Sequence, residues 1–201
     1  MEKVPQNGFT LLEMLITILV ISIVASITVP AMGDLVRDNR LTTSVNDFIA
    51  SVTLARSEAI KRSAPVTVCI SDNPTAANPA CDAAAGGEWE TGWVVFADAD
   101  GDAVIDAGET LLQQHAPLAQ GVDVETNAVL ETYVSFSGAG RTRDTANAPV
   151  TGGRLVFCDD RGITDTGGGE STALAINLAG TGRPQSLNQQ SLIVAMGITC
   201  P

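Results

Sequence analysis

Residues 9–29, FTLLEMLITILVISIVASITV, form an apolar run broken by one ionisable residue, Glu13. About 21 residues at 1.5 Å each make roughly 31 Å of helix, enough to cross a bilayer core. A secretory signal would carry a small-residue cleavage site after the run and lose it. No A-x-A site follows here, so the run is expected to stay as an anchor. Glu13 constrains it further, because a carboxylate at membrane depth costs about 2.5–3.5 kcal/mol and predicts a partner of opposite charge.

Pro30 closes the run and removes one backbone donor. Beyond it, Leu41, Val45, Phe48, Val52, Ala55 and Ala59 recur at steps of four and three, the narrow apolar seam of a packed helix. Arg37, Arg40, Arg56, Glu58 and Arg62 fall mostly off that seam. The pattern predicts one helix from Phe9 to about Arg62, membrane-embedded first and then laid on a globular head, and ended by Ser63-Ala64-Pro65. From Pro65 on, short alternating or apolar runs are split by glycine, proline and aspartate. Candidate strands are 66–70, 92–97, 110–114, 133–136, 154–158, 174–178 and 192–198. The fold class is α+β, a long helix with a β-rich head. Trp89, Trp93 and Phe96 are expected in the head's core.

A formal net charge of -12 repels phosphate backbones, so nucleic acid would need a local basic patch. The four cysteines, Cys69, Cys81, Cys158 and Cys200, include no C-x-x-C pair, and His115 is the one histidine, which argues against zinc. An even cysteine count behind an export signal reads as two disulfides made in an oxidising compartment. Three pairings are open; the preferred one is local in sequence at each end, Cys69 with Cys81 and Cys158 with Cys200. No G-x-S-x-G, Walker or H-E-x-x-H pattern occurs and no nucleophile neighbours His115 in sequence, so no enzyme is expected.

The segment from Asp98 to Glu109 resembles an EF-hand loop. Asp98, Asp100, Asp102, Asp106 and Glu109 stand at places one, three, five, nine and twelve, with Ile105 at place eight. These oxygens make a candidate Ca²⁺ site. Ala103 stands where the sharp turn wants glycine, and the flanks read as strands, so an Asx-rich hairpin turn is the competing reading.

Gly8-Phe9-Thr10-Leu11-Leu12-Glu13 resembles the prepilin peptidase signature. The resemblance implies cleavage after Gly8 on the cytoplasmic side, N-methylation of Phe9, and pairing of Glu13 with the terminal amine of a neighbouring subunit. A buried ammonium and carboxylate would relieve each other's desolvation. The stretch from Asn39 to Cys69, then GWVVFADADGD, LVFCDDRG and GTGRP, is similar to the GspH/FimT family of minor pilins and pseudopilins, with ARSEAIKR (55–62) the most specific part after the leader.

That resemblance implies a pilin-like fold, the long helix packed against two antiparallel sheets. The parts would be a leader (1–8), a transmembrane and fibre-core helix half (9–30), an amphipathic half (31–62) and a periplasmic head (63–201). It implies a single-pass bacterial inner-membrane protein whose partners are prepilin peptidase and other pilins or pseudopilins. Its role is non-catalytic, as a minor subunit of a type IV pilus or an H-type subunit of type II secretion. Gly182-Arg183-Pro184-Gln185 lies where some relatives carry a DNA-binding G-R-x-R motif, with Gln185 in place of the second arginine. Arg183 with Arg141 and Arg143 is therefore the candidate DNA site, with Arg154 and Arg161 as candidate neighbours. The opposing reading pairs these arginines with the chain's many carboxylates.

Overall fold

A computed structural model describes residues 8–82 and 88–200. The leader, apart from Gly8, lies outside the described residues. Helix α1 spans Leu11–Arg62, and the chain divides into two compact units, residues 1–39 and 40–201. In the first, the side chains from Leu11 to Val29 are exposed almost throughout, and α1 is long and apolar enough to cross a membrane, with a mean hydropathy of 2.4 over its best 18-residue window.

The second unit holds the rest of α1 and ten strands. The first sheet runs in the order β3 (Thr110–His115), β2 (Trp93–Ala97), β1 (Val66–Ile70), β5 (Tyr133–Phe136), β6 (Thr142–Arg143). The second runs β10 (Pro184–Gln189), β9 (Glu170–Leu178), β7 (Gly153–Cys158), β4 (Asp123–Thr126), and β8 (Asp165–Gly167) also pairs with β9. All neighbours are antiparallel. The helical seam of Leu41, Val45, Phe48, Val52, Ala55 and Ala59 meets both sheets in one core, with Val66, Val68, Ile70, Trp93, Leu155, Phe157 and Ile176. Phe48 sits edge-on to Trp89 at 5.0 Å and to Trp93 at 5.5 Å, so the helix is keyed by its one aromatic residue. Both sheets are buried on their far faces too. Cys69, Val94 and Phe96 cluster behind the first, and Val156, Ala173, Ala175 and Ile193 behind the second.

Residues 192–198 are not the predicted strand. A short helix, α2 (Gln190–Val194), occupies this place, and β10 takes the sheet edge instead. The apolar content of 192–198 misleads because it serves as a lid: Ile193 and Ile198 point onto the far face of the second sheet while Leu192 and Val194 stay exposed. Strands β4, β6, β8 and β10 carry no alternating apolar signal, since each lies at a sheet edge or pairs only briefly.

Candidate functional sites

At the start of α1 the Glu13 N–H donates to the Thr10 hydroxyl at 3.2 Å. Thr10 and Glu13 thus stand as N-cap and N3, and the acidic residue lies in the turn where the helix dipole favours it. Glu13 is exposed, and its carboxylate has no partner among the described residues.

The other end of α1 is built around close backbone contacts. Ser63 takes a positive φ of 52° and stops the helix, with Ala64 N–H donating to Ala59 O at 3.3 Å. The turn after β5 then packs on this end, since a Cβ on Gly138 would lie 2.5 Å from the Ser63 carbonyl carbon. Gly140 and Gly182, both with positive φ, touch each other: a Cβ on Gly182 would overlap the Gly140 carbonyl oxygen. Arg56 Nε donates to that same oxygen at 2.9 Å. The two glycine turns and the ARSEAIKR helix segment therefore meet at one corner, which sets the Arg56 side chain beside the turns that carry Arg141 and Arg183.

Arg141 and Arg183 are exposed and Arg56 is half-buried; none of the three forms an ion pair among the described residues. Lys61 and Arg62, on the last turn of the helix, are held by Glu58 instead. Arg62 first and Lys61 second keep that carboxyl below its usual range. Arg143 does not belong to the corner. Its neighbour Thr142 faces the core side of β6, which turns Arg143 to the other face, where it is buried. Arg154 donates to Met196 O at 3.1 Å and Arg161 pairs with Asp159, so neither is a spare cation.

In the acidic loop, oxygens of Asp98, Asp100 and Asp102 lie within 4.8 Å of one another, while Asp106 and Glu109 stay outside that group. Asp98 is fully buried, and both its oxygens are taken: Oδ1 by Gly101 N–H at 2.7 Å, Oδ2 by Ala103 N–H at 3.2 Å and the Thr67 hydroxyl at 2.5 Å. Glu109 accepts from Ala99 N–H at 2.6 Å and Asp106 N–H at 3.1 Å. Ala103 has a φ of 64°, the left-handed conformation that the sequence position wants from glycine.

The family model for type II transport protein GspH matches residues 44–182, more than half of the chain. The chain belongs to the GspH family. The prokaryotic N-terminal methylation motif matches residues 4–29. The fold is similar to that of the type IV minor pilin FimU of Pseudomonas aeruginosa (strain PAO1), with a TM-score of 0.50 at 17% identity over 76% of this chain and 91% of that one. The minor pseudopilin EPSH from the type II secretion system of Vibrio cholerae matches with a TM-score of 0.47 at 8% identity, over 76% and 98%. No curated protein sequence matches the chain. Membership in the GspH family makes the chain a structural subunit of the pilin and pseudopilin kind, which assembles with other pilins into fibres.

In this GspH-family head, Cys69 pairs with Cys81 and Cys158 with Cys200. The first bridge ties β1 to the loop after it, and the second fastens the lid that carries α2 to β7. His115 lies flat on Trp93 at 3.9 Å with Nε2 3.3 Å from Asp47. The nearby Ser51 hydroxyl donates to Asp47 O and accepts from Trp93 Nε1, so it is not activated by the histidine. Two features of these sites escaped sequence reasoning. Arg56 reads as a surface helix residue until two distant turns arrive at it, whereas the Thr10 cap was available as T-x-x-E.

Proposed function

We propose that this chain is a minor subunit of a type IV pilus. It inserts in the inner membrane through residues 9–29, is cut after Gly8 by prepilin peptidase, is N-methylated on Phe9 and holds its head in the periplasm. It joins a fibre with Glu13 facing a neighbour's terminal amine, and it carries no enzymatic role. The observation that carries this is the methylation motif over 4–29 ahead of the GspH match over 44–182. Glu13, exposed in an apolar helix and with its carboxylate without a partner among the described residues, supports the pairing. An H-type pseudopilin of type II secretion has the same chemistry, and the genes beside this one distinguish the two. In the test, Gly8→Ala leaves the leader uncut, while Glu13→Ala is cut but enters fibres poorly. Normal incorporation of the Glu13 variant would sink the pairing.

A second reading, a fibre-borne DNA receptor, is favoured by Arg56 lying beside the turns of Arg141 and Arg183, none of the three in an ion pair among the described residues, on an acidic chain. Two or three phosphate contacts would make binding weak, with a log–log salt slope of about -2 to -3. Duplex DNA binding by the head at 50 mM salt, lost in Arg141→Ala/Arg183→Ala, is the expected result. No binding at that salt removes this reading.

A further inference from the structure

Arg143 is 6% exposed and its Nε and Nη1 have no hydrogen-bond partner among the described residues, a state that costs free energy unless a negative charge lies close by. Its place in the sheet shows where that charge is. β6 pairs Arg143 opposite Ser135, and β5 pairs Ser135 opposite Thr67, so the three residues form one row across the far face of the first sheet. The Thr67 hydroxyl bonds both Ser135 Oγ at 2.8 Å and Asp98 Oδ2 at 2.5 Å. The acidic loop covers this row. Gly101 lies directly on the guanidinium, where any Cβ would overlap Nη1.

One peptide unit on each side of Gly101 links the opposite charges. The Gly101 N–H donates to Asp98 at 2.7 Å, and the Gly101 carbonyl accepts from Arg143 Nη2 at 3.2 Å. The buried carboxylate and the buried guanidinium therefore sit at the two polar ends of one residue. Asp100 and Asp102, one position to either side, complete the acidic group.

We propose that Arg143 is the built-in counter-cation of the acidic loop, holding Asp98, Asp100 and Asp102 together without a metal ion. The arrangement accounts for three observations at once: a buried guanidinium with donors unused among the described residues, carboxylate oxygens within 4.8 Å of one another, and a glycine where a side chain would displace the guanidinium. In an EF-hand the bound Ca²⁺ neutralises such a group. Here a side chain from a strand 45 residues beyond Asp98 does so.

The sign of a charge deletion separates this from a loop of mutually repelling carboxylates. Asn at positions 100 and 102 preserves size and, at 102, an oxygen to accept from Val104 N–H as Asp102 Oδ1 does. In the full chain in detergent at low salt, Asp100→Asn and Asp102→Asn should each lower the melting temperature, because each removes attraction to Arg143. A rise would overturn the proposal. The unaltered chain should melt at the same temperature in excess Ca²⁺ and in chelator, since its cation is already in place; a calcium-dependent rise would also overturn it. Arg143→Met should melt lower and gain back part of the loss in Ca²⁺. If it does not accumulate, the two Asn variants still decide the sign.

Discussion

Replacing Gly182 with alanine tests the corner where Arg56 lies beside the turns of Arg141 and Arg183. Two costs add. The φ of 76° is a left-handed conformation that costs a non-glycine residue roughly 1–2 kcal/mol. The new methyl would also overlap the Gly140 carbonyl oxygen and lie 3.0 Å from Phe136 Cε1 and 3.1 Å from Arg56 Nε, and overpacking of this kind costs about 1–3 kcal/mol. Gly121 isolates the first cost, having a φ of 84° with nothing within 4 Å of its Cβ position. For a domain of this size each kcal/mol moves the melting temperature by about 2–4 °C. Thermal unfolding of the head, residues 40–201, followed by circular dichroism, should give a drop of about 2–8 °C for Gly121→Ala and about 4–20 °C for Gly182→Ala. The gap between the two variants is the informative quantity. Equal drops would mean that the two turns do not touch, and the placing of Arg56 beside both of them would fall with that contact.

Cys200→Ser should lower the melting temperature of the oxidised head more than Cys81→Ser does. The bridges close 42-residue and 12-residue separations, worth about 4 and about 3 kcal/mol in the chain-entropy model; reductant should erase the difference. Glu90 is pushed above the usual carboxylate range, first by burial and then by Glu88, Asp123 and Glu125, and its Oε2 is buried without a donor among the described residues. Its ionised form therefore opposes folding at neutral pH, and this cost fades as pH falls through the raised folded value. Glu90→Gln should melt higher than the parent at pH 7, with the gap closing as the pH is lowered toward the ordinary glutamate range; a gap independent of pH would refute the assignment.

The elements legible in sequence are those whose periodicity records a buried face. The seam from Leu41 to Ala59 names the helical surface in the core, and β1 and β5 fall where the runs 66–70 and 133–136 place them. Edge strands record little, since a residue such as Gln185 or Ser186 in β10 faces solvent and needs only backbone partners. The acidic loop was legible as a series of carboxylates but not as a charge balance, because Arg143 reaches it through two strand pairings. The basic corner was half legible: Arg141 and Arg183 stand out beside glycines, whereas the burial of Arg143 depends on which face of a two-residue strand it occupies.

The threonine that caps α1 has a consequence for processing. Thr10 and Glu13 both lie downstream of Gly8, so with the proposed cut the signal that starts the helix stays with the product. The cap at the helix start is therefore made by residues that the mature chain keeps. Removal of the leader exchanges a peptide bond for an ammonium two residues before the first helical residue and leaves the cap as it was. Under the proposed insertion and cut, the helix start is already formed before maturation, which adds a charge and leaves that cap in place.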